Sequence, residues 1–493
     1  MIRILQMKFP RKYFLVPALF SLIFSSCEGQ SISVVKDSIS IAYAEQITSF
    51  SPLNYESNNR KYLSNIYEKL VNYDKTFNFE SGLAVSWGRF DDLTWEFKLR
   101  EGVLFHDGST FDADDAVYSL LTAMTDQDSQ LDSILSNISS VDIVEAYKIR
   151  VVTKVPDPLL LNKLTNVFIF SADFVDFDAP VGTGPYAMTS YDGEKMLLTA
   201  FDSYWGTVPM YKSVELSAIQ DPDRRRDAIL MSEVDVLANI PPQYVDVLEE
   251  NDITVNAFPS LEVSFLMFNF DGVFADSNLR NAAYYALSTD YASKLGSGYL
   301  LDSNQYAASG IFGYSLDVPD RVRDLAVAKD FRDLYSGDVS VTLDIPEGLE
   351  KLGEKVAEDL AEIDITVTVN PMEDSEFEQK VLLSQSDFYF FGWKYDLADI
   401  SDFLETIVHT KTDEYGNFNG MNYSNEVVDG YIEDTSKFFN IQERRTMLNL
   451  ITQNLFEDKI GIPLFEAELL YGIRLEVSWD IRLDGLILAS EIR

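Results

Sequence analysis

Cysteine and histidine are nearly missing from this chain of 493 residues. A single cysteine, Cys27, excludes an internal disulfide framework and every thiolate metal cluster. Two histidines, His106 and His409, exclude a three-histidine metal site and leave a Ser-His-Asp machine only two possible bases. Positive charge is scarce too: 39 Lys and Arg stand against 80 Asp and Glu, a formal net charge of −41. A surface of that sign repels phosphate backbones, so a general nucleic-acid binder is excluded. No apolar run approaches the roughly 20 residues that a membrane-crossing helix needs. Solenoids and propellers are disfavoured because no repeat of fixed period occurs. What remains is ordinary globular composition, 46% hydrophobic and 24% charged, with ample material for a core. At roughly 100–200 residues per domain the length accommodates about two to four domains.

The beginning of the chain reads as an export signal. Lys8, Arg11 and Lys12 precede an apolar run over residues 14–24, and Ser25-Ser26 lead into Cys27. A basic end, a short apolar core and small residues match a secretion signal that is too short to span a bilayer. Small residues before a lone cysteine resemble the lipobox of bacterial lipoproteins, with Phe24 where leucine is usual. Cleavage after residue 26 and lipid on Cys27 follow from that resemblance; the alternative is a buried free thiol after an ordinary signal. Residues 28–37 are small and polar, as in a flexible tether.

Further on, Leu93, Trp95, Phe97 and Leu99 alternate as in a half-buried strand. Asp112 with Asp115 three residues later predicts a helix start, and Val117, Leu120, Leu121 and Met124 share one helical face. Ile149, Val151 and Val155 suggest another strand. In the second half, Val341-Leu343-Ile345 form a strand, Leu352-Val356-Leu360-Ile363 a helix and Ile365-Val367-Val369 a strand. A helix around residues 376–383 then precedes the continuous apolar run Phe388-Tyr389-Phe390-Phe391. Strand–helix–strand order with an apolar strand predicts an α/β fold with a covered, largely parallel sheet.

Read as strings, several segments carry a resemblance. Asn65-Ile66-Tyr67-Glu68-Lys69-Leu70-Val71 is followed by Leu83-Ala84-Val85-Ser86-Trp87. Then come Trp95-Glu96-Phe97-Lys98-Leu99-Arg100-Glu101-Gly102 and Phe105-His106-Asp107-Gly108, ending in Ala113-Asp114-Asp115-Ala116-Val117. Downstream are Gly182-Thr183-Gly184-Pro185-Tyr186, Tyr204-Trp205-Gly206, Ser232-Glu233-Val234-Asp235 and Leu279-Arg280-Asn281-Ala282; Arg444 and Ile462-Pro463-Leu464-Phe465 complete the set. The order resembles the peptide/nickel class of ABC-transporter solute-binding proteins, the oligopeptide- and dipeptide-binding family. The resemblance implies a two-lobed periplasmic-binding-protein fold with a hinge and an inserted subdomain. Signal peptide 1–26 would precede linker and first-lobe start 27–60, inserted subdomain 61–182, first lobe 183–270, second lobe 271–464 and a return to the first lobe over 465–493. It further implies a monomer, with no cofactor, no metal and no catalysis, that delivers its ligand to the permease subunits of an importer outside the cytoplasm.

Asp396 is the leading ligand-binding candidate. Gly392-Trp393-Lys394-Tyr395-Asp396 leaves the carboxyl end of an apolar strand, where ligands sit in open α/β sheets. The resemblance implies that this aspartate pairs with the α-amino group of a peptide, a charge-assisted bond that strengthens as a cleft dries. Gly392 would admit ligand backbone, and Trp393 and Tyr395 would form apolar walls. Tyr55, Glu56 and Asn58 match a stretch that pairs with peptide main chain in relatives. Ser264 and Phe265 are further candidates for the cleft. Dipeptide-binding relatives hold the ligand carboxylate with an arginine shortly after Ile345-Pro346; here Lys351 is the nearest cation, which disfavours a strictly dipeptide receptor.

The other constellations are expected to be structural. His106 is a hydrogen-bonding turn residue, His409 a surface residue, and Arg224-Arg225-Arg226 a solvated helix face. Gly182-Thr183-Gly184-Pro185 cannot be a dinucleotide loop, since proline follows where a helix should donate N–H groups. The competing functions are the same fold holding an oligosaccharide, haem or metal chelate, or an acidic glycosidase with paired carboxylates.

Overall fold

Alternating Ile39, Ile41 and Tyr43 bury one face of the strand Ser38–Tyr43, with which the described structure effectively opens. This computed structural model describes residues 36–173, 176–296, 298–315 and 317–493. Cys27, the signal segment 1–26 and most of the tether lie outside the described residues.

Ten strands follow one another across the main sheet. From one edge the order is Tyr186–Tyr191, Lys195–Ala200, Ser213–Ala218, Ser38–Tyr43 and Val236–Leu237. It continues through Gly461–Arg474, Ile253–Phe268, Phe388–Lys394, Val339–Pro346 and Ile365–Met372. Ser38–Tyr43 runs parallel to both of its neighbours, as does Val339–Pro346 to its own. Every other pair is antiparallel, so the largely parallel sheet expected from the strand–helix order is instead mixed. The parallel units lie one in each half of the sheet, and two long antiparallel strands join them in the middle.

Those strands, Ile253–Phe268 and Gly461–Arg474, pair from Ile253↔Arg474 to Met267↔Gly461. Separate apolar cores form on either side of them. One takes residues from Ile39 to Ala238 and adds Tyr471, Ile473 and Trp479. Others gather Leu261 to Ile460 and Leu266 to Phe465. Two lobes thus share one sheet.

The first lobe carries a second sheet, ordered Ala84–Arg89, Thr94–Leu99, Lys148–Thr153 and Ile138–Glu145. The helix Ala113–Thr125 starts as expected: Asp112 accepts from the Asp114 N–H at 2.8 Å, and Asp115 accepts from the Asp112 N–H at 3.1 Å. The helix buries Ala116, Ser119, Leu120 and Ala123, whereas Leu121 stays exposed. Distant strings meet here. Glu68 accepts from Trp205 Nε1 at 2.8 Å and from the Tyr204 hydroxyl at 3.0 Å. His106 Nε2 lies 3.0 Å from the Gly184 carbonyl, and Nδ1 accepts from the Gly182 N–H at 3.2 Å, which sets the neutral tautomer with its proton on Nε2. A Cβ on Gly182 or Gly184 would fall 2.1 or 2.5 Å from the Ile66 carbonyl oxygen, so only glycine permits this approach.

Two expectations change. His409 is 2% exposed rather than superficial, with Nδ1 2.7 Å from the Thr410 carbonyl and Nε2 3.2 Å from Glu433, because its ring stacks on Tyr415. Arg224 and Arg226 pair with acids at the surface, but Arg225 is buried and donates to the carbonyls of Ile219, Gln220 and Asn239.

Burial pushes the Glu68 carboxyl up to about 7, against the hydrogen bonds that favour its charge. The unfolded chain therefore releases this proton first, and the contribution to stability disappears as pH climbs from roughly 4 towards 7. Thermal unfolding of Glu68→Gln across that range is expected to lose this part of the pH dependence that the native protein shows.

Candidate functional site

The long strand Ile253–Phe268 is irregular where it matters. Its register with Gly461–Arg474 slips between Pro259 and Val263, and Leu261 adopts φ 61°, uncommon for a bulky side chain. The bulge turns Ser260, Leu261 and Glu262 into a cleft between the lobes. The Leu261 carbonyl accepts from the Tyr395 N–H at 3.0 Å, which ties the bulge to the loop bearing Asp396.

That loop is fixed from beneath. Asp399 is 2% exposed and is gripped by Arg444, with Nη1–Oδ2 at 2.5 Å and Nη2–Oδ1 at 2.9 Å. Arg444 Nη2 also donates to the Ser401 hydroxyl at 2.6 Å. Ile400 is fully buried against Gly313, whose φ is 105° and whose Cβ would meet the Ile400 side chain at 2.3 Å. From above, the Leu397 carbonyl accepts from the Tyr73 hydroxyl at 3.1 Å and from Asn162 Nδ2 at 2.8 Å. Both donors belong to the first lobe, so the lobes touch. Further out, the Arg89 guanidinium lies 3.8 Å from the Phe439 ring centroid.

The cleft contains about 1190 Å³ of atom-free space, part of it open to solvent. Asp396, Tyr395 and Tyr55 line it. Tyr395 is fully buried and spends its hydroxyl on the Tyr306 carbonyl, so it offers a ring edge. Phe265 stacks on Phe403 in the second lobe's core, and the partly buried Trp393 lies tilted against the same ring, so neither lines the cleft. Ser264 pairs with Gly392 in the ladder and is buried. Gly392 leaves room for Glu262, whose Oε1 would lie 2.7 Å from a Cβ there. Glu56 and Asn58 lie outside the lining; Glu56 Oε2 accepts from Asn59 Nδ2 at 3.2 Å. Lys351 is exposed on the helix Glu350–Ala361, away from the cleft.

Residues not singled out from sequence complete the wall. The helix Ser57–Leu63 places Arg60 and Lys61 in the cleft, and Lys69, Tyr73 and Asp484 join them. Arg60 Nη1 donates to the Asn166 carbonyl at 2.8 Å, and the guanidinium lies 4.7 Å from the Phe168 centroid and 5.4 Å from that of Tyr55. Four basic side chains, Arg60, Lys61, Lys69 and Lys394, thus face three acidic ones in a chain where acids outnumber bases twofold. That local reversal was the one available signal for them. Burial raises the Glu262 carboxyl, and the Asp396 charge adds to the effect while Lys394 opposes it. Asp402, behind Asp396, is also raised, by burial and then by its acidic neighbours. Among the described residues no group of three or more metal-ligating side chains occurs.

Two lobes hinged on paired strands, with a cleft between them, define a two-lobed binding protein of the periplasmic type. Residues 78–415 match the bacterial extracellular solute-binding proteins, family 5 (middle), and the chain belongs to this family. The family captures solutes and works with ABC-transporter permeases. The glutathione-binding protein GsiB of Pectobacterium atrosepticum is 25% identical over 452 residues, covering 86% of this chain and 87% of that protein. The dipeptide-binding protein of Escherichia coli is 24% identical over 408 residues, covering 73% and 75%. Among solved structures, the periplasmic binding protein DppA of Helicobacter pylori with peptide STSA superposes with a TM-score of 0.76 at 22% identity, covering 92% and 97%. NikA of Brucella suis with Fe(III)-EDTA gives 0.83 at 21% identity, covering 92% and 99%. No helix among the described residues is long and apolar enough to cross a membrane.

The Asp399–Arg444 pair yields a direct expectation. Asp399→Asn leaves Arg444 buried without its counter-charge, a change that costs about 3–5 kcal/mol. Urea unfolding is expected to show a loss of that size, and Asp399→Asn combined with Arg444→Met is expected to recover part of it.

Proposed function

We propose that the protein is an extracytoplasmic receptor, anchored through lipid on Cys27, that captures peptides by lobe closure and delivers them as a monomer to an ABC importer. The observation that carries this reading is the position of Asp396. It lines the cleft from the second lobe on a loop held by Arg444 below and by Tyr73 and Asn162 across the gap. Its present partner is Lys394 at 2.9 Å, in a pair whose side chains are 35% and 43% exposed. Exposed pairs of this kind are worth about 0–1 kcal/mol, so a ligand ammonium exchanges for Lys394 at little cost. Closure then dries the new pair and strengthens it. The names of the dipeptide- and glutathione-binding relatives agree with a peptide ligand.

A second reading keeps the fold and changes the guest. Tyr43, Tyr55, Tyr73 and Tyr471 in the lining favour a ligand with stacking faces, such as an oligosaccharide, haem or a metal chelate. Native mass spectrometry before and after mild unfolding identifies whatever co-purifies and separates the two.

For the peptide reading, Asp396→Asn is expected to weaken binding of free-amine peptides by about 2–5 kcal/mol and to leave ligand-free melting unchanged. Calorimetry with N-acetylated and free peptides checks it. Equal affinity for the two forms in the native protein refutes the role of Asp396.

A further inference from the structure

Lys69 is an anomaly in this cleft. Its ammonium is half-buried and forms no hydrogen bond and no ion pair among the described residues, in a protein with 80 acidic side chains. Its Nζ lies 5.5 Å from the centroid of the Phe168 ring, and Arg60 lies against the same ring. Arg60 forms no ion pair among the described residues either, although the Asp396 charge favours its charged form; its guanidinium is held by the carbonyl and side-chain oxygens of Asn166. The nearby acid, Asp484, is occupied by Arg482, with Nη2–Oδ2 at 2.8 Å. The Tyr43 hydroxyl, in the same lining, is buried without a partner among the described residues. Holding an unpaired cation beside a second one is costly, and the cost is relieved either by loss of the proton or by the arrival of an anion. The net charge of the chain does not oppose this. Exposed charges beyond roughly 8 Å are screened at physiological salt, so the cations within the cleft set the local potential.

Of the three acids that line the cleft, Asp484 shares the wall of Arg60 and Lys69 and is engaged by Arg482, and the other two sit elsewhere. Glu262 and Asp396 come from the hinge bulge and the second lobe, whereas Arg60 and Lys69 come from the first. A guest spanning the gap meets a net negative wall, where Glu262 and Asp396 outnumber Lys394, and a net positive one, where Arg60, Lys61 and Lys69 outnumber Asp484. We propose that Lys69, with Arg60 beside it, seats an anionic group of the ligand, so that the captured peptide carries a free carboxylate reaching the first lobe while its ammonium faces Asp396. This rests on the peptide reading for the rest of the ligand; the anion seat stands on its own geometry. Lys69 is thereby a specificity-determining residue, and the C-terminal and side-chain carboxylates of a peptide are its two possible guests.

The groups facing Lys69 are Arg60, Arg482 and Asp484. Burial, reinforced by Arg60, pushes the ammonium down to about 7. Binding of a carboxylate favours the charged form, so affinity falls as pH rises past that value.

The test uses the full chain and five probes: glutarate, neutral glutaramide, Ala-Ala-Ala as free acid, Ala-Ala-Ala as C-terminal amide, and Ala-Glu-Ala amide. Glutarate has two carboxylates and neither amine nor peptide bond, so it reports the seat independently of Asp396. The native protein is expected to bind glutarate and not glutaramide, with affinity decreasing above pH 7. Lys69→Met and Lys69→Gln are expected to weaken glutarate by about 10- to 100-fold, and Lys69→Arg to retain it without the pH dependence. For peptides, whichever of the free C-terminus and the Glu side chain restores tight binding over Ala-Ala-Ala amide names the carboxylate that is seated. Glutarate binding that is absent, or equal in native protein and Lys69→Gln, overturns the proposal. So does equal affinity for the acid and both amides. Glutarate binding lost on Lys69→Gln, with no peptide bound by the native protein, sinks the peptide reading and supports the seat. The pH series needs no variant, so a misfolded Lys69→Met does not shield the proposal.

Discussion

One ladder of hydrogen bonds carries both halves of this protein. Ile253–Phe268 and Gly461–Arg474 are each long enough to belong to the first lobe at one end and the second at the other, and they pair over nearly their whole length. A continuous ladder resists sliding but tolerates twist and bending, which is the freedom a closing cleft needs. The bulge from Pro259 to Val263 falls at the cleft, where an extra residue bends the strand and re-aims side chains. Glu262 faces the cleft for that reason, and the Leu261 carbonyl reaches the Tyr395 N–H for the same reason. Hinge and binding wall are the same residues.

The loop after Phe388–Lys394 shows how a charged contact is kept in place without rigid secondary structure. Asp399 and Arg444 form a buried bidentate pair beneath it, and the Leu397 carbonyl is clamped from the opposite lobe. Asp396, between these two anchors, is left exposed and only weakly engaged with Lys394. Stability is thus concentrated in the residues around the contact, while the contact itself stays exchangeable. The cleft's polarity follows the same division of labour. In a chain of net charge −41, basic groups gather on one wall, where each pair of unscreened cations has a larger influence than the distant acidic surface.

Much of this was readable beforehand. The strings around Tyr67, Trp95, His106, Gly182 and Trp205 identify the family because they are bound to one another: Glu68 to Trp205, His106 to Gly182 and Gly184, and both glycines to the Ile66 carbonyl. Asp112 and Asp115 cap their helix because capping is decided within four residues. The residues that lie elsewhere than the strings suggest have a common origin. Trp393, Ser264 and Phe265 lie near the cleft in sequence, but the faces of a central strand are both covered, and alternation alone does not say by what. His409 and Arg225 are polar residues that look solvated until their partners, Glu433 and three carbonyls, are brought beside them from elsewhere.

By itself the sequence determined the family, the two-lobed α/β class, the exclusion of an internal disulfide framework and the loop that ends in Asp396, since these depend on composition, local capping and short strings. Only the tertiary structure decided the mixed sheet, the bulge that faces Glu262 into the gap, and the meeting of residues 60, 69 and 484 on one wall. No periodicity links those positions. Side-chain direction at a bulge or a lobe boundary is set by what packs against the backbone, and that information is distributed over segments hundreds of residues apart.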